Sequence, residues 1–361
     1  MHRFIFFLLI GVIIFSAFAP ENLTDDAFTG YAVASVTPRS IETKGIGWAD
    51  KENSVRYSEN TIQPIGSISK TFIGVSLLIA QEQGLVDLDK DINEYLDFKV
   101  VNPHADESNI ITLRHLATHT SGIRDHEKYY ELAYTKGKEP SMSLENYLRQ
   151  YLIKGEAMYS RKNFEKHEAG TYYSYSNIGA ALAAHVLEKA TGVPFNEYTR
   201  QNILEPLGMK HSGWSYQAID QAKHATLYDE ENNPLEPYTL VTYPDGGFRT
   251  SASDLALYLQ ELIKGYHHQS DLMSNAAWDE LFKKNFTEEH PVENIDPKEP
   301  NTGIFMIYSR SGKIGHSGSD PGVSAMMWFD PETSEGDLFM ANEDLNEGNV
   351  ETFKAIWESL K

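Results

Sequence analysis

Strand-like segments stand at both ends of this 361-residue chain, and helical segments fill its middle. Short apolar or alternating runs bounded by turn residues predict strands at 31–36, 41–48, 303–309, 313–316, 323–329 and 338–342. Apolar residues at helical spacing predict helices at 67–83, 113–119, 143–153, 177–190, 253–264 and 350–360. The simplest fold for this order is one sheet built by both ends of the chain, with helices packed against it.

We therefore predict an α+β fold, in which an antiparallel sheet is flanked by helices and a mostly helical insertion interrupts the chain. The sheet-containing part takes residues 25–85 and 240–361, the helical part takes residues 86–239, and residues 25–361 form one domain. With 41% hydrophobic and 23% charged residues, the chain has the composition of a folded protein.

The chain contains no cysteine, and its formal net charge at pH 7 is −21. Without cysteine, disulfides, thiolate zinc sites and cysteine nucleophiles are excluded, so a covalent nucleophile must be a serine, threonine, carboxylate or lysine. The negative charge argues against a nucleic-acid partner, because phosphates bind to basic faces. It argues equally against binding to anionic lipid surfaces.

Two features are similar to metal sites but lack the full pattern. His115 and His119 lie four residues apart, as two zinc ligands on one helix would, but no glutamate follows His115. The acidic stretches 87–91 and 229–231 lack the spacing and the glycine of a calcium loop. We therefore expect no metal and no cofactor, a structural role for the two histidines, and solvated surface at the acidic stretches.

The first 19 residues have the composition of a targeting segment. A basic start precedes an apolar run at 4–18, which is shorter than the roughly 20 residues that a helix needs to cross a membrane. Ala17 and Ala19 fit a cleavage site, whereas Pro20 directly after it disfavours cleavage. We expect residues 1–19 to be a signal peptide or an N-terminal anchor. The protein would then be exported and periplasmic or secreted, or held at the membrane by residues 4–18.

Ser67 and Lys70 form the only Ser-x-x-Lys pattern of the chain. Positions three residues apart share a face of a helix, so the Lys70 amine can reach the Ser67 hydroxyl. A serine nucleophile needs a base beside it, and a lysine can be that base only where burial or nearby positive charge lowers its pKa. The alternative is a solvated serine and lysine on a helix surface, since so short a pattern arises readily by chance.

Tyr175 and Asn177 form the only Tyr-x-Asn pattern, although the chain has 20 tyrosines. A phenol held near a lysine ammonium can relay a proton to a leaving group, and Asn177 can orient that lysine or a substrate amide. The alternative, which is compatible with the first, is a turn in which Asn177 caps the helix that begins there.

A third pattern, His316-Ser317-Gly318, follows a predicted strand. Small residues at the end of an edge strand allow a substrate backbone to lie close. The sequence His211-Ser212-Gly213 repeats the pattern, but strands flank only the later copy. We therefore prefer the later copy as the functional one.

In this order, Ser67-x-x-Lys70, Tyr175-x-Asn177 and His316-x-Gly318 resemble the motifs of the serine β-lactamase and penicillin-binding-protein superfamily. The chain looks most similar to the branch that contains class C β-lactamases, D-stereospecific peptidases and related esterases. Further stretches similar to that family lie at 111–122, 170–177, 205–209 and 246–255, and the resemblance covers roughly residues 30–342.

The resemblance implies catalytic and binding roles for particular residues. Ser67 would be acylated, while Lys70 and Tyr175 would share the roles of base and acid. The backbone N–H groups of Ser67 and Ser319 would form an oxyanion hole. The implied substrate-binding residues are Asn177, His316, Ser317, Gly318 and Ser319.

One departure from the family pattern bears on the substrate. His316 stands where true β-lactamases carry a lysine, so a mostly neutral group replaces the cation that would hold a β-lactam carboxylate. We expect an exported serine hydrolase that cleaves an amide or ester of a small molecule or peptide through a Ser67 acyl-enzyme. The alternatives are a β-lactamase or D-alanyl-D-alanine carboxypeptidase, and a catalytically silent binding or scaffold homologue. The main base, the actual substrate and the oligomeric state stay open.

Overall fold

A computed structural model describes residues 28–106 and 108–360 of the chain. Eight strands form one antiparallel sheet in the order β3-β2-β1-β12-β11-β10-β9-β8, and two further pairs, β4 with β7 and β5 with β6, lie apart from it. The strands are β1 Gly30–Val36, β2 Ile41–Asp50, β3 Val55–Arg56, β4 Ile62–Pro64, β5 Tyr134–Lys136, β6 Tyr238–Leu240, β7 Arg249–Ser251, β8 Asn301–Thr302, β9 Ile307–Tyr308, β10 Ile314–Asp320, β11 Val323–Asp330 and β12 Glu335–Ala341.

Helices cover the sheet and fill the middle of the chain. They are α1 Ser69–Glu82, α2 Leu113–Ala117, α3 Glu127–Tyr130, α4 Leu144–Leu152, α5 Asn177–Thr191, α6 Phe195–Thr199, α7 Glu205–Leu207, α8 Ala252–Tyr266, α9 Asn275–Phe282 and α10 Val350–Ser359. The α+β fold with a helix-flanked antiparallel sheet is the predicted one. Within the described residues, 86–239 contribute no strand to the eight-stranded sheet, while the division near residues 85 and 240 stays a prediction.

The central strand β1 shows how the two faces of the sheet differ. Its alternate residues Tyr31 and Val33 pack in a cluster with Phe353 of α10. Ala32 and Ala34 face the main core, which includes residues of α1 and α8. Because side chains alternate across a strand, one buried strand can support helices on both of its sides.

Three predicted boundaries were wrong in informative ways. The helix predicted from residue 67 begins as a short 3₁₀ turn at Gly66–Ile68 and becomes α-helical at Ser69. The strand predicted to end at residue 316 continues as β10 to Asp320, so the His-Ser-Gly pattern lies inside the strand. Of the strand predicted at 303–309, only β9 (Ile307–Tyr308) is a strand; β8 ends before residue 303, and Phe305, at a φ of 55°, lies in the turn between the two.

The predicted targeting segment, residues 1–19, lies outside the described residues. Among residues 28–106 and 108–360, none of the helices combines the length and the apolar character that crossing a membrane requires.

Candidate active site

Ser67 lies in the tight turn that leads into α1, and the turn orients its hydroxyl toward Lys70. The Nζ atom of Lys70 donates a hydrogen bond to Ser67 Oγ over 2.8 Å. Ser67 is partly exposed whereas Lys70 is completely buried. The predicted contact between the two side chains is therefore present, and the solvated alternative is wrong.

The Lys70 amine sits in a closed ring of oxygen acceptors. Besides Ser67 it donates to Asn177 Oδ1 at 2.7 Å and to the carbonyl oxygen of Asp245 at 2.6 Å. Burial lowers the pKa of Lys70, and nearby carboxylates, first that of Asp245, offset part of this shift. The exclusion of water from around the amine favours the neutral form that a general base requires.

Tyr175 places its ring beside the same amine, 5.0 Å from Lys70 Nζ to the ring centroid. Burial raises the pKa of Tyr175, and a hydrogen bond with Ser67 lowers it in part. The phenol is consequently protonated at neutral pH. His119 packs against the same ring, with the two ring centroids 4.3 Å apart.

Asn177 is the first residue of α5 and is held by a carboxylate that the sequence analysis missed. Asp125 Oδ2 accepts hydrogen bonds from Asn177 Nδ2 at 2.8 Å and from its backbone N–H at 2.9 Å. Asp125 Oδ1 accepts from the backbone N–H of Ile178 at 3.0 Å. The helix cap is Ser176, whose Oγ accepts from the Gly179 N–H at 2.8 Å, so the expectation that Asn177 is the cap was wrong.

The strand β10 passes directly against the Ser67 turn, and two glycines make this approach possible. A side-chain carbon added to Gly318 would lie 1.9 Å from the Ile65 carbonyl oxygen and 3.0 Å from the Ser67 backbone nitrogen. One added to Gly66, at a φ of 52°, would lie 2.7 Å from the Ser319 nitrogen. The backbone nitrogens of Ser67 and Ser319 therefore belong to two segments in direct contact.

From His316 onward, the outer side of β10 is not paired by β9, which bonds only to Ile314 and Gly315. His316 is 3% exposed, and its Nδ1 lies 2.5 Å from the carbonyl oxygen of Ser317. Burial, reinforced by the charge of Lys70, lowers the pKa of His316 to about 3. The imidazole is therefore neutral at physiological pH.

A cavity of about 350 Å³ joins these groups. Ser67 and Tyr175, from the first two motifs, line it together with the strand residues 316–319. The cavity is lined by Ser67, Tyr175, Glu299, Ile307, His316, Ser317, Gly318, Ser319, Ser324, Ala325, Met326 and Leu345. The structure thus gathers the predicted serine, tyrosine and strand residues around one space, with Lys70 and Asn177 directly behind Ser67.

Two further buried acids near Lys70 also escaped the sequence analysis. Asp245 is completely buried; Tyr130 donates to its Oδ1 over 3.4 Å, and burial raises its pKa to about 8 against the pull of Lys70. Asp320, at the end of β10, accepts a hydrogen bond from the Tyr134 hydroxyl, and burial raises its pKa to about 6. Neither acid belongs to a recognisable motif, so only their burial, which the structure shows, distinguishes them from the other acids of the chain.

Ser212 of the earlier His-Ser-Gly copy, His115 and the nearby Ser251 serve structural purposes. Ser212 donates to Asp254 at 2.7 Å, which ties the earlier His-Ser-Gly copy to α8. Ser251 caps α8 by accepting from the Asp254 N–H at 3.2 Å. His115 accepts from the Thr112 N–H at 3.3 Å in a capping box at the start of α2. None of these residues lines the cavity beside Ser67.

Comparison with known proteins gives a consistent family assignment. The family model described as beta-lactamase matches residues 16–361. The chain is 28% identical over 217 residues to a beta-lactamase of Providencia stuartii, covering 59% of this chain and 50% of that protein. It is 24% identical over 357 residues to a beta-lactamase of Pseudomonas fluorescens, covering 90% of this chain and 91% of that one. The chain thus spans half the length of the first relative and most of the second.

Among solved structures, the fold is similar to a beta-lactamase/D-alanine carboxypeptidase from Yersinia pestis, crystallised with citrate. The TM-score is 0.72 at 18% identity, with 93% of this chain and 95% of that chain covered. At this identity the likeness speaks for the fold alone, while the family-model match spans nearly the whole sequence. The resemblance drawn from the three motifs is confirmed, and the chain belongs to the β-lactamase family of serine hydrolases.

Proposed function

We propose that this protein cleaves an amide or ester bond through a covalent acyl-enzyme on Ser67. The observation that carries the proposal is the 2.8 Å hydrogen bond between Lys70 Nζ and Ser67 Oγ in a buried environment. A serine paired with a buried amine has a local acceptor for its proton. In the reaction, Ser67 Oγ bonds to the substrate carbonyl carbon while its proton passes to neutral Lys70.

The other residues complete this cycle. The N–H groups of Ser67 and Ser319 stabilise the oxyanion of the tetrahedral intermediate. As that intermediate collapses, the bond to the leaving group breaks and the leaving atom takes a proton through Lys70 or Tyr175. Water then attacks the acyl carbon and gives a proton to the same base. The bond between that carbon and Ser67 Oγ breaks, Oγ takes the proton back from the base, and the carboxylic acid leaves. Asn177 holds Lys70 in place, and strand residues 316–319 bind the substrate along the open edge of β10.

Two observations bear on the base and on the substrate. Because burial raises the pKa of Tyr175, its phenol is a proton donor at neutral pH, and we assign the main base to Lys70. Because His316 is neutral, the strand offers no fixed cation for the carboxylate of a β-lactam or of a D-alanyl peptide. We therefore rank a carboxylate-independent peptidase or esterase above a β-lactamase or D-alanyl-D-alanine carboxypeptidase.

The hydrogen bond between Ser67 and Lys70 argues against a catalytically silent scaffold homologue, because a non-catalytic protein does not require a buried amine beside a serine. Export, with residues 1–19 as a signal peptide or anchor, stays a proposal that rests on the apolar run 4–18.

A fluorophosphonate probe tests the proposal. It should form a phosphorus–oxygen bond to Ser67 Oγ with loss of fluoride, and mass spectrometry of the digested protein should locate the adduct on the peptide that contains Ser67. Ser67→Ala should lose the label, whereas Ser311→Ala, at an exposed serine outside the cavity, should keep it. Full labelling of Ser67→Ala would place the nucleophile elsewhere.

A further inference from the structure

The cavity beside Ser67 has an unusual balance of charge and hydrogen-bonding groups. Of its twelve lining residues, only Tyr175, Glu299 and His316 carry ionisable side chains. None of these is a cation at neutral pH, and Glu299 brings a carboxylate. The rest of the lining consists of apolar groups, small hydroxyls and strand backbone.

Glu299 has no counter-ion in the part of the chain that the structure describes. The side chain is only partly exposed, and neither a hydrogen bond nor an ion pair from residues 28–106 or 108–360 reaches its carboxylate. Burial raises its pKa and the nearby Asp296 adds to this shift, while the exposed neighbour Lys298 opposes it. A partly buried carboxylate without a partner is costly unless something else supplies the positive charge or donor.

His316 contributes a second vacant acceptor. A carbonyl oxygen can only accept, so the contact of Nδ1 with the Ser317 carbonyl assigns the ring proton to Nδ1. The other nitrogen, Nε2, is then an acceptor. It is buried and has no hydrogen-bond partner among the described residues. A ligand that supplied an N–H to this atom would satisfy it.

Lys70 cannot fill either role. Its Nζ atom already has three oxygen partners, in Ser67, Asn177 and Asp245, so neither a neutral amine nor an ammonium has an N–H left for Glu299 or His316. A substrate that enters the cavity therefore meets two acceptors in need of donors.

We propose, on the basis of the function proposed above, that the cavity selects amide or ester substrates that carry a protonated amine near the scissile bond. Glu299 is the counter-ion of that ammonium group, and His316 Nε2 accepts one of its N–H bonds. Substrates with a carboxylate in the same place are repelled by Glu299 and find no cation. The substrate class is thus an aminoacyl-type amide or ester with a free amine.

Three arylboronic acids of similar size test this selection. They are 3-(aminomethyl)phenylboronic acid, 3-methylphenylboronic acid and 3-carboxyphenylboronic acid, which differ in charge at one position. Each can form a boron–oxygen bond to Ser67 Oγ, whose proton passes to the base, and so imitates the tetrahedral intermediate. Their dissociation constants follow from protection of Ser67 against the fluorophosphonate probe, and no particular bond needs to be cleaved.

We expect the aminomethyl compound to bind about tenfold more tightly than the methyl compound, which corresponds to about 1.4 kcal/mol, and the carboxy compound to bind most weakly. Glu299→Gln should remove most of the difference between the first two without changing the affinity of the methyl compound. Glu293→Gln removes the same charge at an exposed position on the same segment, outside the cavity, and should keep the wild-type preference.

Equal binding of the three compounds to the wild type, or an unchanged preference in Glu299→Gln, would overturn this inference and leave the proposed function intact. The same holds if none of the three protects a Ser67 that the probe still labels. Labelling that persists in Ser67→Ala would instead overturn the proposed function itself.

Discussion

At the scale of single residues, the site depends on one buried amine. Lys70 is completely buried, and its three acceptors are an hydroxyl, an amide oxygen and a backbone carbonyl rather than a carboxylate. A carboxylate in direct contact would hold the proton on the amine. Neutral acceptors fix its position while burial lowers its pKa, so position and basicity are provided together.

Replacing Lys70 by arginine tests whether this amine is the base. A guanidinium keeps a positive charge but cannot accept the serine proton. We expect Lys70→Arg to lower kcat by at least about 100-fold, the low end of a general-base contribution, measured with a p-nitrophenyl ester that the wild type turns over.

Tyr175→Phe is the comparison for that experiment. Because the phenol is protonated at neutral pH, its loss should lower kcat less than Lys70→Arg does. Near-normal turnover of Lys70→Arg with Ser67 still required would make the lysine structural and move the base to Tyr175 or His316.

At the scale of elements, the start of α5 is where the tyrosine motif meets Lys70. The first N–H groups of a helix have no partner within the helix, and here Asp125 accepts those of Asn177 and Ile178. The same carboxylate holds the Asn177 side chain, whose Oδ1 accepts from Lys70. Asp125 thus couples the end of a helix to the position of Lys70, the proposed base, and we assign it as a positioning residue.

We expect Asp125→Ala to affect both stability and catalysis. Loss of the acceptors at the helix N-terminus should cost about 1–2 kcal/mol of unfolding free energy. Because Asn177 is then free to rotate, kcat should fall while KM changes little, and the kcat of Asp125→Asn, which keeps one oxygen acceptor, should lie between that of the alanine variant and the wild type. Urea unfolding and steady-state kinetics on the same preparations measure the two effects.

Ser143→Ala is the matched control for this prediction. Ser143 caps α4 by accepting from the Asn146 N–H at 3.3 Å, and neither residue lines the cavity. Its loss should cost a similar stability with kcat unchanged. If Asp125→Ala behaves like Ser143→Ala, the carboxylate is a helix cap only.

At the scale of the whole molecule, the contact between the sheet and the helical middle of the chain contains buried acid. Asp320 ends β10 of the sheet, and Tyr134 of the β5–β6 pair donates to it. Lys70 and Arg249 lower the pKa of Asp320 but do not outweigh the burial that raises it to about 6. The folded protein therefore holds a proton on this acid over a pH range in which the unfolded chain has lost it.

This difference predicts that Asp320 makes the folded protein less stable as the pH rises, whereas a carboxyl group whose pKa is lowered by folding has the opposite effect. Between about pH 4 and pH 6 the folded state binds more protons than the unfolded state. The contribution of Asp320 to the free energy of unfolding is therefore present in full below its ordinary pKa of 3.8 and is lost as the pH rises through about 6. Asp320→Asn mimics the protonated form. Its unfolding free energy relative to the wild type should rise by up to about 3 kcal/mol from pH 4 to pH 7.

Urea unfolding at four pH values in this range measures the difference between the two proteins, in which the titration of other groups cancels. Asp271→Asn, at an exposed carboxylate, should show no such trend. A constant difference between Asp320→Asn and the wild type across the range would mean that the folded protein holds this acid ionised throughout.

The sequence by itself determined the features that depend on near neighbours in the chain. Alternation and helical spacing placed most strands and helices, because each pattern reflects which face of an element is buried. The Ser67–Lys70 contact followed from the geometry of a single helical turn. The three motifs in their order identified the family.

Only the tertiary structure decided the charge and the environment of that cavity. Asp125, Asp245 and Glu299 belong to no motif, and they join the site because distant segments pack together. The lowered pKa of His316 and the raised pKa of Asp245 come from burial, which no local pattern encodes. A sequence specifies which groups the chain owns, but the loss of water around each group depends on everything that packs against it.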